Sequence, residues 1–145
     1  MKKLFALFVL ATCCLTVMAD DEYQEIQPKK LPHLAQRILP AYFPTQQVTH
    51  AEKAKSKLNV GYRVVLSDGT KIQFDKDGNW LDVDGNGSPI PMRIVPPALQ
   101  NYLSLNCPED IQVLRQTKDS KTYEYDLYLS DGQHLRFDTY FKRID

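Results

Sequence analysis

Two stretches of this sequence carry the same residues at a fixed separation. The order Leu-Ser-Asp-Gly occupies residues 66–69 and returns at 129–132, and Phe-Asp occupies 74–75 and returns at 137–138. The offset is therefore 63 at all six positions. The common solenoid repeats are shorter, at about 20–50 residues per unit. The sequence therefore predicts a duplicated supersecondary unit.

Each copy is predicted to begin with one helix. The segments upstream of the strands match at an offset of 64 and carry apolar residues at helical spacing. Pro32 suits the first turn of the first helix, and Pro40 is expected to kink that helix or to end it early. The second helix is predicted to begin at Pro96 or Pro97 and to continue through Leu105.

Four strands are predicted after each helix, because apolar and polar residues alternate there. The predicted strands are 48–53, 62–66, 71–74 and 80–83 in the first copy and 111–116, 123–129, 134–137 and 141–144 in the second. Asp68-Gly69 and Asp131-Gly132 lie between apolar runs, where Asp-Gly favours a type I′ hairpin.

The predicted fold class is α+β, with two tandem helix-plus-four-strand repeats forming a shared antiparallel sheet with both helices on one face. Period-two alternation assigns Tyr62, Val64, Leu66, Ile72, Phe74, Tyr125, Leu127, Leu129, Leu135 and Phe137 to the core under the helices. It assigns Arg63, Val65, Lys71, Gln73, Trp80, Asp126, Tyr128, His134 and Arg136 to the open face. Antiparallel sheets commonly leave one face solvated.

Trp80 is placed on the open face because Leu81 and Val83 of the same strand are assigned to the core. The alternative is that Trp80 folds over the connector and stabilises the junction between the copies, since Trp is usually well buried.

The N-terminal segment has the composition of a signal peptide. Lys2 and Lys3 precede an apolar run that ends with the small residue Ala19, after which cleavage is predicted. The alternative, a lipoprotein processing site at Cys13, is less consistent with the apolar residues that follow it. The predicted organisation is a signal peptide at 1–19, a flexible lead-in at 20–30, a first αβ4 repeat at 31–88 and a second at 89–145.

The mature chain is expected to be periplasmic, with no membrane span. Cleavage removes two lysines and no acid from 18 basic and 18 acidic residues, which leaves 16 and 18. That balance gives no basic surface for nucleic acid. Cys107 is then the single cysteine that remains. It aligns with Phe43 and is predicted to be a buried structural thiol.

The combined motifs resemble a known family. Phe-Pro at 43–44 precedes Tyr-x-Val-x-Leu-Ser-Asp-Gly at 62–69 and Phe-Asp-x-x-Gly-x-Trp at 74–80. Such exported, duplicated units are similar to the PepSY-like, β-lactamase-inhibitor-like periplasmic proteins of Bacteroidetes, over Leu31 to Asp145. The resemblance implies a helix-plus-four-strand repeat, a concave sheet face that binds a protein, and an inhibitory role. Residues 138–141 depart from the pattern, because they lack the Gly and the Trp.

The acidic run after the third strand raises a calcium hypothesis. Asp75, Asp77 and Asn79 fit the first three ligand positions of an EF-hand loop, but Gly comes too early and Asn86 stands where Glu belongs. The alternative is a hairpin turn at Asp77-Gly78. No cofactor is predicted, with calcium retained as the alternative.

Catalysis has little support in the sequence. His33, His50 and His134 are the only histidines, and none belongs to a His-Glu-x-x-His motif. We therefore expect a non-enzymatic exported module that binds and inhibits another exported protein through the open face of its sheet. The predicted binding residues are Arg63, Val65, Lys71, Gln73, Trp80, Tyr128, His134 and Arg136. The alternative is a calcium-responsive or structural envelope protein.

Overall fold

The structure, a computed structural model, describes residues 22–56, 61–119 and 122–145. The predicted signal peptide lies outside the described residues. The eight strands are β1 Tyr23–Glu25, β2 Val48–Ala54, β3 Tyr62–Leu66, β4 Lys71–Phe74, β5 Trp80–Asp84, β6 Ile111–Asp119, β7 Thr122–Leu129 and β8 His134–Phe137. The two α-helices are α1 His33–Tyr42 and α2 Pro97–Asn106, each preceded by a short 3₁₀ turn, Pro28–Lys30 and Met92–Ile94.

The strands form a single antiparallel sheet in which each strand pairs with its neighbours in the chain, in the order β1 to β8. Helix α1 connects β1 to β2, and α2 connects β5 to β6. The protein is therefore an α+β fold with an open eight-stranded sheet. The order strand, 3₁₀ turn, helix and three strands occurs twice along the chain.

Two predicted segments differ from the structure at the edges of the sheet. The lead-in predicted to be flexible contributes β1, in which Tyr23 pairs with Ala54 and Glu25 with Glu52. The strand predicted at 141–144 is reduced to one bridge, between Phe137 and Arg143. Local sequence pattern did not identify either edge, because pairing with a distant partner decides it.

Both helices contribute to one apolar cluster with one face of the sheet. Ala35 and Leu39 of α1 are buried in it, as are Leu99 and Leu103 of α2. Pro40 lies inside α1, which continues to Tyr42 and is not ended early. Leu39 still accepts a hydrogen bond from the Phe43 N–H, 2.8 Å away.

The centre of the core contains the two repeated phenylalanines. Phe74 and Phe137 are both 0% exposed. Tyr102 of α2 contacts Phe137 edge-on, with the ring centres 5.0 Å apart. Cys107 is half-buried at the border of the cluster and forms no disulfide with any described residue. Cys107 is thus less buried than the sequence analysis predicted.

The two Asp-Gly hairpins are three-residue loops and not the predicted type I′ turns. In the first, the Gly69 N–H donates to the Leu66 carbonyl at 2.9 Å, and the Leu66 N–H donates to the Thr70 carbonyl at 2.9 Å. Gly69 and Gly132 have φ of 89°, whereas the preceding aspartates do not have positive φ. This is a type I turn followed by a left-handed glycine, in which the aspartate accepts the next-but-one N–H.

None of the described helices is long and apolar enough to cross a membrane.

Candidate protein-binding face

The sheet face opposite the helices presents a row of polar side chains that crosses all eight strands. We call this set the charged row, because cross-strand register places its members side by side. Its members are Glu25, Glu52, Arg63, Gln73, Asp82, Arg115, Asp126 and Arg136. Directly opposed side chains on one sheet face lie about 4.5–5.5 Å apart at Cβ, close enough for ion pairs.

Ion pairs order the half of the charged row that lies over β5 to β8. Arg115 Nε donates to Asp82 Oδ2, and this hydrogen bond raises the pKa of Arg115 above its ordinary value. Arg136 donates from Nε to Asp126 and from Nη2 to Glu124, each at 3.2 Å. Exposed pairs of this kind contribute about 0.2–1 kcal/mol each, so their main effect is to hold the side chains in place.

A stacked aromatic pair lies beside these ion pairs. The rings of Tyr128 and His134 are parallel, with an interplanar angle of 4° and centres 4.3 Å apart. The guanidinium carbon of Arg115 lies 5.5 Å from the Tyr128 ring centre. His134 Nε2 lies 2.8 Å from Asp126 Oδ1, which also accepts from Arg136. Five side chains that can contact a partner are therefore held close together on a small area.

A second arginine–tyrosine pair lies at the other side of the face. The guanidinium carbon of Arg63 is 3.4 Å from the Tyr23 ring centre, which explains why Tyr23 is only 8% exposed on an edge strand. Nearby, His50 lies 3.6 Å from Glu25 and 3.0 Å from Glu52. Strand β1 therefore adds Tyr23 and Glu25 to the open face.

The structure places seven of the eight predicted binding residues on this face. Val65 pairs with Lys71, and Arg63 pairs with Gln73, in the register of β3 and β4. Tyr128 pairs with His134 in β7 and β8, and Arg136 lies two residues further along β8. The two groups are separated by β5 and β6, whose Asp82 and Arg115 connect them.

Trp80 is the exception, and its predicted position on the open face is wrong. Gln73 pairs with Asp82 and Phe74 pairs with Trp80, which leaves Leu81 as an extra residue in β5. This β-bulge changes the alternation, so Trp80 faces the core at 9% exposure. Leu81, predicted to be in the core, is half-buried on the wall of a cleft.

Trp80 contributes to a scaffold contact between the β4–β5 turn and α1. Together with Leu34 and Ile38 of α1, it lines a groove of about 420 Å³. In the adjacent turn, a Cβ on Gly78 would lie 2.9 Å from the Ala35 backbone nitrogen. The turn therefore packs closely against the start of the helix. The alternative prediction gave Trp80 a structural role at the connector, and the structure gives it a structural role beside α1.

A cleft of about 880 Å³ opens at the end of the sheet beside this turn. On one side of the cleft the β6–β7 ladder continues to Asp119↔Thr122, past the last β5–β6 pair, Asp82↔Arg115. The β4–β5 ladder ends at Phe74↔Trp80, level with the last β2–β3 pair, Lys53↔Tyr62. Gln73, Asp82 and Arg115 of the open face reach into it, so the charged row and the cleft are continuous.

The predicted calcium ligands form a turn in which the oxygens of Asp75 are already engaged. Asp75 Oδ1 accepts from the N–H groups of Asp77 and Asn79, and Oδ2 accepts from Asn79 Nδ2, all at 2.9 Å. Asp138 accepts from Tyr140 and Lys142 in the same way, although its segment lacks the glycine. Within the described residues there is no group of three or more His, Cys, Asp or Glu side chains that could hold a metal.

Sequence reasoning missed three residues that complete the face. Tyr23 lies in the segment predicted to be a flexible lead-in, and neither Asp82 nor Arg115 belongs to the predicted binding set. A bulge in β6 between Ile111 and Val113 changes the alternation of that strand, which hid Arg115. Arg115 could have been found by starting the period-two alternation of this strand at Val113 instead of at Ile111, because Val113, Arg115 and Thr117 then share one face.

The match to a family model agrees with this architecture. Residues 60–145 match the model described as "Putative beta-lactamase-inhibitor-like, PepSY-like". The chain belongs to the PepSY-like family. A search of curated proteins found no match.

Solved structures extend the comparison over most of the chain. A "putative periplasmic protein" of Bacteroides vulgatus is 31% identical, with a TM-score of 0.76 over 87% of this chain and 97% of the other. A "putative calcium-regulated periplasmic protein" of Bacteroides thetaiotaomicron is 33% identical, with a TM-score of 0.76 over 86% and 96%. A B. vulgatus "putative periplasmic protein of unknown function", 23% identical, shares the fold with a TM-score of 0.73 over 85% and 97%.

Proposed function

We propose that this PepSY-like protein is a non-enzymatic periplasmic module that binds another exported protein through the open face of its sheet and inhibits it. The observation that carries the proposal is the pair of arginine–tyrosine contacts, Arg63 with Tyr23 and Arg115 with Tyr128, on one solvated face. Tyr and Arg are enriched among the residues that dominate interface energetics. The family description and the periplasmic neighbours support the same reading.

Preorganisation is the second support. A flexible arginine loses about 0.5–1.5 kcal/mol of side-chain entropy when a partner immobilises it. Ion pairs with Asp82 and Asp126 already restrict Arg115 and Arg136 in the free protein. The face can therefore bind a partner at a lower entropic cost than a surface of unrestrained side chains.

The test is capture of a partner from periplasmic extract on the immobilised mature chain, followed by calorimetry with the purified partner. We expect Tyr128→Ala to weaken binding by about 2 kcal/mol or more, as truncation of an interface hot spot does. Tyr140→Ala is the matched control, because Tyr140 is 86% exposed in the turn after β8 and lies outside the charged row. If both variants bind like the wild type, the open face is not the interface.

The inhibitory part of the proposal has its own readout. When the captured partner is a hydrolase, its activity is measured against increasing amounts of the wild-type protein and of Tyr128→Ala. Inhibition that follows the binding curve supports the proposal, and tight binding without loss of activity contradicts it.

A calcium-responsive role is the second candidate, because a neighbour 33% identical is named calcium-regulated. The turn geometry argues against tight binding, since calcium would have to displace the hydrogen bonds that Asp75 accepts. A calorimetric titration should therefore detect no binding below about millimolar calcium, the weak extracellular range. A micromolar site that Asp77→Ala abolishes would establish the calcium role instead.

Export and duplication complete the proposal. We propose cleavage after Ala19, which the intact mass of the periplasmic product tests directly. The two halves are proposed to be copies of one unit. This is supported by the paired burial of Phe74 and Phe137 and by matching helix contacts, in which Gln36 and Gln100 each donate to a carbonyl five residues earlier at 2.7 Å. A crystal structure in which the two halves do not superpose would contradict it.

A further inference from the structure

Strand β6 continues past the end of its ladder with β5. The β5–β6 register consists of Asp84↔Val113, Val83↔Leu114 and Asp82↔Arg115, while β6 itself extends to Asp119. Its remaining residues pair with β7 on one side. On the other side, the described residues provide no further ladder partner. Within the described residues, the backbone of 116–119 therefore has no ladder partner on its β5 side.

The alternation of the ladder shows which backbone groups this edge presents. The Gly85 N–H donates to the Gln112 carbonyl at 2.8 Å, so Gln112 and every second residue after it turn their backbone groups toward β5. Lys118 belongs to this set and lies beyond the last ladder pair. Gln116 donates its side-chain amide to the Trp80 carbonyl, at the point where β5 leaves β6.

The open edge faces the cleft described above. Gln116 and Thr117 of β6 line one wall, and Lys53 and Tyr62 of the β2–β3 hairpin line the opposite wall. An exposed sheet edge is a template for an added strand, since main-chain groups supply affinity and the adjoining pocket supplies side-chain selectivity.

The charges that line the cleft define the chemistry of the occupant. Its described positive groups are Lys53, Lys76 and Arg115, and its negative groups are Asp75, Asp77 and Asp82. Because the signs balance and Arg115 is already paired with Asp82, a segment with strong net charge of either sign gains little. An uncharged extended segment satisfies the backbone edge without leaving a charge unpaired.

We propose that the cleft binds an uncharged, extended segment of the partner protein, which adds as a strand to β6 at residues 116–119. The proposal rests on the function proposed above and specifies the part of the partner that enters the protein. Lys118 supplies its N–H and C=O to the added strand, and the charged row contacts the remainder of the partner.

The experiment uses a phage-displayed library of short linear peptides selected on the immobilised mature chain. An enriched peptide is synthesised and added to the ¹⁵N-labelled protein, and backbone amide exchange is measured residue by residue. We expect exchange of the Lys118 N–H to slow by at least about tenfold, because a new hydrogen bond protects it. We also expect enriched peptides to be poor in charged residues and their binding to change little with salt.

Two substitutions of Lys118 separate the contribution of its backbone N–H to peptide binding from that of its side chain. Lys118→Pro removes the N–H on the β5 side of β6 and leaves the groups that pair with β7, whereas Lys118→Ala keeps the N–H. We expect the proline variant to lose at least about tenfold in peptide affinity and the alanine variant to retain it. Circular dichroism and thermal melting test whether both variants fold. If the proline variant does not fold, the amide-exchange experiment on the wild-type protein tests strand addition by itself.

The outcomes distinguish this inference from the proposed function. Failure to enrich any peptide, protection of amides elsewhere, or equal affinity of Lys118→Pro and wild type overturns strand addition. Partner binding that depends on Tyr128 and not on Lys118 overturns strand addition and leaves open-face binding intact. Peptide binding at Lys118 with an unaffected Tyr128→Ala complex overturns the open-face interface instead.

Discussion

Single residues in this protein divide into those that hold the scaffold and those that face solvent on the sheet. Trp80 shows why the division depends on register. A single extra residue, Leu81, changes which face of β5 receives the indole. The ring then packs in the core cluster beside α1, and the open face loses an aromatic residue that the sequence pattern had assigned to it.

Trp80→Ala is consequently expected to destabilise the fold. Truncation of a buried Trp costs about 3–5 kcal/mol, because apolar contacts are lost and a cavity remains. Chemical denaturation measures the loss. Leu105→Ala is a suitable control, since Leu105 is 84% exposed at the end of α2, and its change should stay within about 0.5 kcal/mol. A stable Trp80→Ala protein with weakened partner binding would return Trp80 to the interface.

At the scale of elements, the Asp-Gly turns and the Asx turns explain the repeated sequence motifs. The aspartates accept backbone N–H groups and the glycines occupy left-handed conformations. Turn chemistry therefore accounts for the repeated Asp-Gly motif. The turn at Asp75 has an additional role, because Gly78 brings it against Pro32 and Ala35 of α1.

Alanine substitution at two glycines separates the conformational role of a turn from its packing against α1. Gly78 and Gly132 have φ of 92° and 89°, so alanine costs roughly 1–2 kcal/mol of backbone strain at either position. A Cβ at Gly132 meets nothing within 4 Å, whereas one at Gly78 lies 2.9 Å from the Ala35 nitrogen and from Pro32 Cβ. We expect Gly78→Ala to lower the melting temperature clearly more than Gly132→Ala. Equal losses would show that the turn does not pack against α1.

For the whole molecule, one sheet face packs with two helices and the other presents an ordered, solvated surface. The charged row extends that surface across both halves of the chain, and the cleft adjoins it where β6 and β7 continue past the end of β5. The two proposals, partner binding through the face and strand addition in the cleft, therefore both require the joined sheet, since neither half contains the complete row.

The sequence by itself determined the helices, the positions of the two Asp-Gly turns and the two faces of most strands. These features depend on residues a few positions apart, as the apolar alternation of Val64, Leu66, Ile72 and Phe74 shows. The tertiary structure decided where alternation slips, which segments become edge strands and where a ladder ends. The bulge at Leu81, the pairing of β1 and the open edge at 116–119 each depend on a partner strand distant in sequence or on its absence. Register is set between strands, so no single strand's pattern contains it.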